Sequence, residues 1–270
     1  MATTRVGDID IEYYIEGSGP TLLMVMGMGG QASSWGQPFL SLLQRRFTTI
    51  RFSNRGTGRS SQSQEVTTIS GMADDAGGLL QALDIESTHV LGISMGGMIS
   101  QELVLNHPQL VQGVVLGCTL CGPAHSLPVP PETAARFAAL NSMTREEKIK
   151  QFWAMTVTLE FERDHNDFLD NIVKTELESP TPEATMLRQM GAAMTFDTYD
   201  RLPQVKSPTL ILHGDRDMLV VPGNGDILNE RIPGSRVVTI TNAGHCFFWE
   251  QPEQSAKAVI EFLTAVPTPA

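Results

Sequence analysis

The chain has 270 residues, 41% of them hydrophobic, 18% charged and only 6% aromatic, with a formal charge of −11. That composition suits one large globular α/β domain, and it is neither disordered nor fibrous. A strongly acidic chain with no basic stripe repels phosphate backbones, which sets nucleic acid aside as a partner.

The first ten residues, M-A-T-T-R-V-G-D-I-D, lack the apolar core of a signal peptide, and no apolar run reaches membrane-spanning length. The chain is therefore expected to be cytoplasmic, without a membrane partner. Three cysteines, Cys118, Cys121 and Cys246, are too few and too odd a number for a disulfide framework.

Thr3–Val6 and Ile9–Tyr14 alternate apolar and polar residues and predict an N-terminal hairpin. Short apolar, β-rich runs follow at Thr21–Met26, Phe47–Phe52, His89–Ile93, Val111–Leu116, Thr209–His213 and Val237–Ile240. Several are apolar on both faces, as strands of a covered parallel sheet are. Helical spacing marks Pro38–Gln44, Met72–Leu83, Met95–Asn106, Ile227–Ile232 and Pro252–Ala265. Gly77-Gly78 inside the second of these is a propensity cost. Strand and helix in alternation predict an α/β fold with a mostly parallel, twisted sheet and helices on both faces.

The alternation stops near Gly122 and resumes near Leu202. A proline-rich stretch, P-A-H-S-L-P-V-P-P, leads into helical patterns at Glu132–Asn141, Arg145–Thr156, Asp164–Glu178 and Thr181–Met194. The division expected is a core of residues 1–122 and 202–270 with a helical cap, 123–201, inserted between two strands.

The chemistry starts at G-I-S-M-G, residues 92–96. This G-x-S-x-G stands where the run His89–Ile93 meets the helix from Met95, the strand–turn–helix context of an exposed nucleophilic serine. A serine hydroxyl needs a base within reach and a group to orient that base. Among six histidines, His245 follows a glycine on the loop after the last strand and is best placed as the base. The acid is Asp215 or Asp217, both after the run Thr209–His213. The N–H of Met95, next after Ser94, is one expected oxyanion donor. Cys118-Thr-Leu-Cys121 has zinc-knuckle spacing but no second pair, so no metal is expected and the two are read as free thiols on a loop.

In these motifs the chain resembles the α/β-hydrolase superfamily across nearly everything outside the insertion. The resemblance implies the α/β-hydrolase fold and the order serine, acid, histidine. It places the acid on Asp217 within Gly214-Asp215-Arg216-Asp217 and the base on His245 within Gly244-His245. It also implies a second oxyanion donor, Met28, in the loop Met26-Gly-Met-Gly-Gly30, where this chain has Met26 in place of the usual histidine. Asn54-Arg55-Gly56-Thr57-Gly58-Arg59-Ser60 resembles the family's D-x-R-G-x-G-x-S turn, with Ser53 where the aspartate is usual, and reads as structural.

The S-M-G-G turn is similar to that of small esterases, enol-lactonases and cofactor-free haloperoxidase-like perhydrolases. A serine rather than an aspartate at the elbow argues against dehalogenases and epoxide hydrolases. The activity expected is hydrolysis of a small to medium apolar carboxylic ester or lactone, through an acyl-enzyme on Ser94 and without a cofactor. C–C bond hydrolysis by the same residues, perhydrolysis and a slow ligand receptor are the alternatives. Trp35, Cys118, Leu120, Trp153 and Phe247 are the expected walls of the substrate pocket.

Overall fold

A computed structural model describes residues 1–267. The N-terminal hairpin is β1 (Ala2–Val6) and β2 (Ile9–Gly17), followed by β3 (Thr21–Val25), α1 (Phe39–Gln44), β4 (Thr48–Phe52), α2 (Ile69–Ala82), β5 (Thr88–Ile93), α3 (Met95–Asn106) and β6 (Val111–Gly117). Helices alone follow: α4 (Pro131–Ala139), α5 (Arg145–Met155), α6 (Leu159–Asp164), α7 (Asn166–Glu178) and α8 (Glu183–Met194). The chain then returns through β7 (Thr209–Gly214), α9 (Gly223–Arg231), β8 (Arg236–Ile240), α10 (Phe247–Glu250) and α11 (Pro252–Thr264).

The eight strands form one sheet in the order β1-β2-β4-β3-β5-β6-β7-β8. The hairpin joins antiparallel through β2 and β4, and every pair from β4 to β8 is parallel. Alternation along the inner strands feeds two cores. Leu23, Val25 and Val90 pack with α2 and α3 on one face, while Leu22, Met24, Leu91 and Ile93 pack with α1 and α11 on the other. This is why these strands read as unbroken apolar runs.

Two expected helices differ in instructive ways. The expected span Asp164–Glu178 is α7, which starts at Asn166, and an unexpected short helix, α6, precedes it, parted from it at His165, whose φ of −130° is not helical. Gly77-Gly78 does lie inside α2, and a Cβ at position 78 would stand 2.4 Å from Val6 Cγ1. The helix accepts the propensity cost because the first strand crosses it that closely.

The sheet and α3 meet more closely still. A Cβ on Gly96 would stand 2.1 Å from the carbonyl oxygen of Val25 and 2.8 Å from that of Met26. Both obstacles are backbone, so they cannot swing aside. Gly96→Ala is expected to push α3 off the end of β3 and destabilise the chain by about 1–3 kcal/mol, read by urea unfolding. An unchanged midpoint and slope would show that the contact is not needed.

Candidate active site

Ser94 is the single residue between β5 and α3. One residue must reverse the chain there, and Ser94 does so at φ 57°, ψ −120°, a conformation an L side chain rarely adopts. It is held from both sides of the turn: its N–H donates to the carbonyl of Gly117 at 2.8 Å, and its own carbonyl accepts from Thr119 Oγ1 at 2.7 Å. The side chain stays partly exposed in an otherwise buried neighbourhood.

The loop after β7 carries Asp217, which is buried. Its Oδ1 accepts from the N–H groups of Leu219 at 2.8 Å and Val220 at 3.0 Å, and its Oδ2 accepts from His245 Nδ1 at 2.7 Å. A carboxylate only accepts, so the hydrogen of His245 sits on Nδ1 and leaves Nε2 as the basic nitrogen. Asp215 is exposed and accepts from the backbone N–H of Ala243 at 3.1 Å. Of the two candidate acids, Asp217 is thus the one at the histidine. A Cβ on Gly214 would lie 2.2 Å from the Gly244 carbonyl, so the glycine lets the two loops meet.

His213 is a partner that sequence reasoning left aside. Its Nε2 lies 2.6 Å from the carbonyl of Val220 and 3.4 Å from Asp217 Oδ2. Burial pushes the Asp217 carboxyl up, but His245 and His213 together outweigh it and hold the acid below the ordinary carboxyl range.

Cys118 follows β6 with φ 40°, fully buried. Its sulfur, a carboxylate oxygen of Asp217 and a ring nitrogen of His245 lie within 4.8 Å of one another, and the thiol also borders the Ser94 backbone. The serine, acid and histidine loops therefore converge at the same end of the sheet. Among the described residues no hydrogen bond joins Ser94 Oγ to His245; such contacts often tighten only around substrate.

The loop 26–30 passes over the elbow, with Gly27 against the Ser94 side chain. Among the described residues, the N–H groups of Met28 and Met95 have no hydrogen-bond acceptor. The turn at residues 53–60 fixes this loop where the histidine is missing. Asn54 Nδ2 donates to the Met26 carbonyl at 3.0 Å, Thr57 Oγ1 to that of Gly30 at 3.2 Å, and Ser53 Oγ accepts from the Ala32 N–H at 3.0 Å. Arg55 anchors the turn through two bonds to buried Asp75, at 2.7 and 2.9 Å.

The helical insertion supplies the rest. Gly29 donates its N–H to Gln189 Oε1 at 2.8 Å, and its carbonyl accepts from Thr181 Oγ1 at 2.9 Å. On the other side, Glu250 accepts from the Gly244 N–H and from Thr158 N and Oγ1, at 2.8 and 2.6 Å. Burial pushes the Glu250 carboxyl up despite these donors.

A cavity of about 360 Å³ opens between the loop and the insertion. Its apolar wall includes Met28, Leu140, Ile149, Phe152, Trp153 and Met186. Of the five expected walls, Trp153 is there. Trp35 is instead fully buried against Phe39 and Phe248, and Phe247 lies fully buried beneath Gly117. Leu120 packs against the core on the α3 side, and Cys118 is buried beside the acid and histidine and does not line the cavity. Side-chain direction at the end of a strand decides between wall and core, and helical pattern alone does not supply it. The two thiols of the C-x-x-C pair are free, as expected, in the loop after β6, and both are buried.

Residues 20–252 match the family model described as the alpha/beta hydrolase fold. The chain belongs to that family. A relative named carbamate hydrolase RutD, from Azorhizobium caulinodans, is 27% identical over 97% of this chain and 98% of its own. The solved structure of a thermophilic esterase from Thermogutta terrifontis, with malate bound, superposes at a TM-score of 0.82 with 26% identity, covering 99% of this chain and 100% of that one. The enol-lactonase of Burkholderia xenovorans LB400, 23% identical over 97% of this chain and 100% of its own, shares the fold at a TM-score of 0.85. Among the described residues, no helix is long and apolar enough to cross a membrane.

Two outcomes are expected of this alpha/beta hydrolase. Ser94→Gly releases the strained turn and, after the extra freedom glycine brings to the unfolded chain, raises unfolding free energy by about 1 kcal/mol. A loss of stability would show that Ser94 is not strained. Because the folded-state value of Asp217 is lowered from 3.8, its ionisation stabilises the fold above that pH, and the stabilisation is lost as pH falls through the lowered value. The stability gap between wild type and Asp217→Asn, measured by urea unfolding across pH, should be full above 3.8 and close in acid. A gap that persists unchanged into acid would contradict the assignment.

Proposed function

We propose that the chain is a serine hydrolase that cleaves a small to medium carboxylic ester or lactone through an acyl-enzyme on Ser94. The observation that carries this reading is the placement of a strained, partly exposed serine at the strand end where a buried, oriented histidine–aspartate pair converges. His245 Nε2 takes the Ser94 proton as Oγ attacks the carbonyl. Asp217 holds the tautomer and stabilises the imidazolium. The unpaired N–H groups of Met28 and Met95 receive the oxyanion, a contribution worth about 10²–10³ in rate per donor where such donors have been removed. His245 returns the proton to the leaving alcohol, and then activates the water that frees the acid.

Residues 123–201 act as a cap over a core of residues 1–122 and 202–270, and the cavity between them receives the apolar part of the substrate. Its volume of about 360 Å³ is at the small end for ligand pockets. The Thermogutta esterase supports an ester over other acyl groups. None of these steps asks for a cofactor.

The test is hydrolysis of p-nitrophenyl acetate, butyrate and octanoate by wild type and Ser94→Ala side by side. Wild type should favour the two shorter esters, and the variant should lose at least about 10³-fold in kcat/KM. Equal rates for the two proteins, or no turnover of any ester, would overturn the reading.

A further inference from the structure

Cys118 has no part in the mechanism above, yet two features single it out. It holds a left-handed backbone, φ 40°, that a β-carbon makes costly, and it places a sulfur within 4.8 Å of the paired acid and base. Sulfur, imidazole nitrogen and carboxylate oxygen are together the donor set of a borderline-soft divalent ion.

We propose that Cys118, Asp217 and His245 form a binding site for a thiophilic divalent cation such as Zn²⁺, whose occupancy silences the hydrolase. Charge favours it. A thiolate and a carboxylate neutralise the ion, with the imidazole as third, uncharged ligand, so no net charge is buried. Distance allows it. Zinc bonds of about 2.0–2.3 Å set tetrahedral donors roughly 3.3–3.8 Å apart. The Asp217 and His245 donors, in contact at 2.7 Å, part to roughly 3.3 Å as the ion takes the place of the Nδ1 hydrogen, which passes to Nε2, and the sulfur, within 4.8 Å of both, closes on them.

Binding exchanges the Cys118 thiol proton for the metal and releases it to solvent. Coordination ties His245 to the ion and the acid, and it can no longer move the serine proton. Magnesium and calcium, which want hard oxygen donors in larger numbers, do not fit. The site is distinct from the C-x-x-C pair, since Cys121 is not among the converging donors.

The probe is Co²⁺, whose thiolate ligation gives a charge-transfer absorption in the near ultraviolet. Metal binding is read without any ester being turned over, so it stands or falls separately from the proposed function, on which the silencing rests. Wild type should develop the band with one Co²⁺ per chain and lose it to excess Zn²⁺. Zn²⁺ should stop p-nitrophenyl butyrate hydrolysis in chelator-free buffer, reversed by EDTA. Cys118→Ala should abolish the band and raise the Zn²⁺ needed to halve the variant's own rate by at least about 10–100-fold. Asp217→Asn, which keeps the thiol, should weaken Co²⁺ binding by a similar factor and serves if the cysteine variant does not fold. No band in wild type, a band that survives Cys118→Ala, one lost instead with Cys246→Ala, or a rate that rises with Zn²⁺ would each overturn the proposal.

Discussion

The structure depends on a chain reversal completed in a single residue. β5 ends at Ile93 and α3 begins at Met95, leaving only Ser94 to turn the backbone. No regular conformation does this, so Ser94 takes φ 57° and projects its hydroxyl beyond the strand end. The rest follows from that geometry. The first turn of α3 is driven against the last residues of β3, which is why position 96 has no room for a β-carbon. The same contact lays the loop after β3 over the serine. The N–H groups of Met28 and Met95 are left without acceptors by one constraint, not by two coincidences. Strain of this kind persists only where the surroundings over-determine it, and β5, β6 and α3 around Ser94 are buried almost throughout.

The buried acids show what makes a carboxylate usable. Asp75 has two bonds from Arg55 and Glu250 has donors from Gly244 and Thr158, yet burial wins at both and their carboxyls are pushed up. Asp217 is at least as deeply buried and goes the other way. The difference is two imidazoles on one oxygen, His245 at 2.7 Å and His213 at 3.4 Å, with two backbone N–H groups on the other. An acid kept ionised can hold His245 in one tautomer. One pushed toward protonation, as Glu250 is, serves as a structural clasp.

The parts of this arrangement that were legible in the sequence are those set by local pattern. Strands buried on both faces read as apolar runs, and each turned up within a residue or two of its expected span. The glycines of G-I-S-M-G and the late Gly244-His245 lie at strand ends because such ends need close backbone approach. What the sequence hid is long-range. Gln189 and Thr181 reach Gly29 across 160 and 152 residues, and no local spacing announces that. His213 looked like an ordinary strand end because its contact with Asp217 exists only once the β7 loop has turned. Trp35 and Phe247 were expected as pocket walls, but both side chains fall into the core on the α1 and α11 side. The six residues of α6 are too few to show a helical period.

The insertion is tied to the core at both halves of the site. Gln189 and Thr181 take both polar atoms of the Gly29 peptide, beside Met28. Glu250 joins Thr158 to Gly244, beside His245, and Cys246 donates its N–H to the Thr156 carbonyl at 2.8 Å. Most of these groups are buried, so parting them without water to replace each partner costs about 1–3 kcal/mol per group. A rigid swing of the insertion would have to break the clasps on the loop of Met28 and on the loop of His245 together. Smaller movements of Leu140 and of the body of α5, which line the cavity and lie before the clasp at Thr156, leave both loops in place. The bonding thus separates an adaptable wall, built from Leu140, Ile149, Phe152 and Trp153, from an edge of the insertion that shares its hydrogen bonds with the reacting centre.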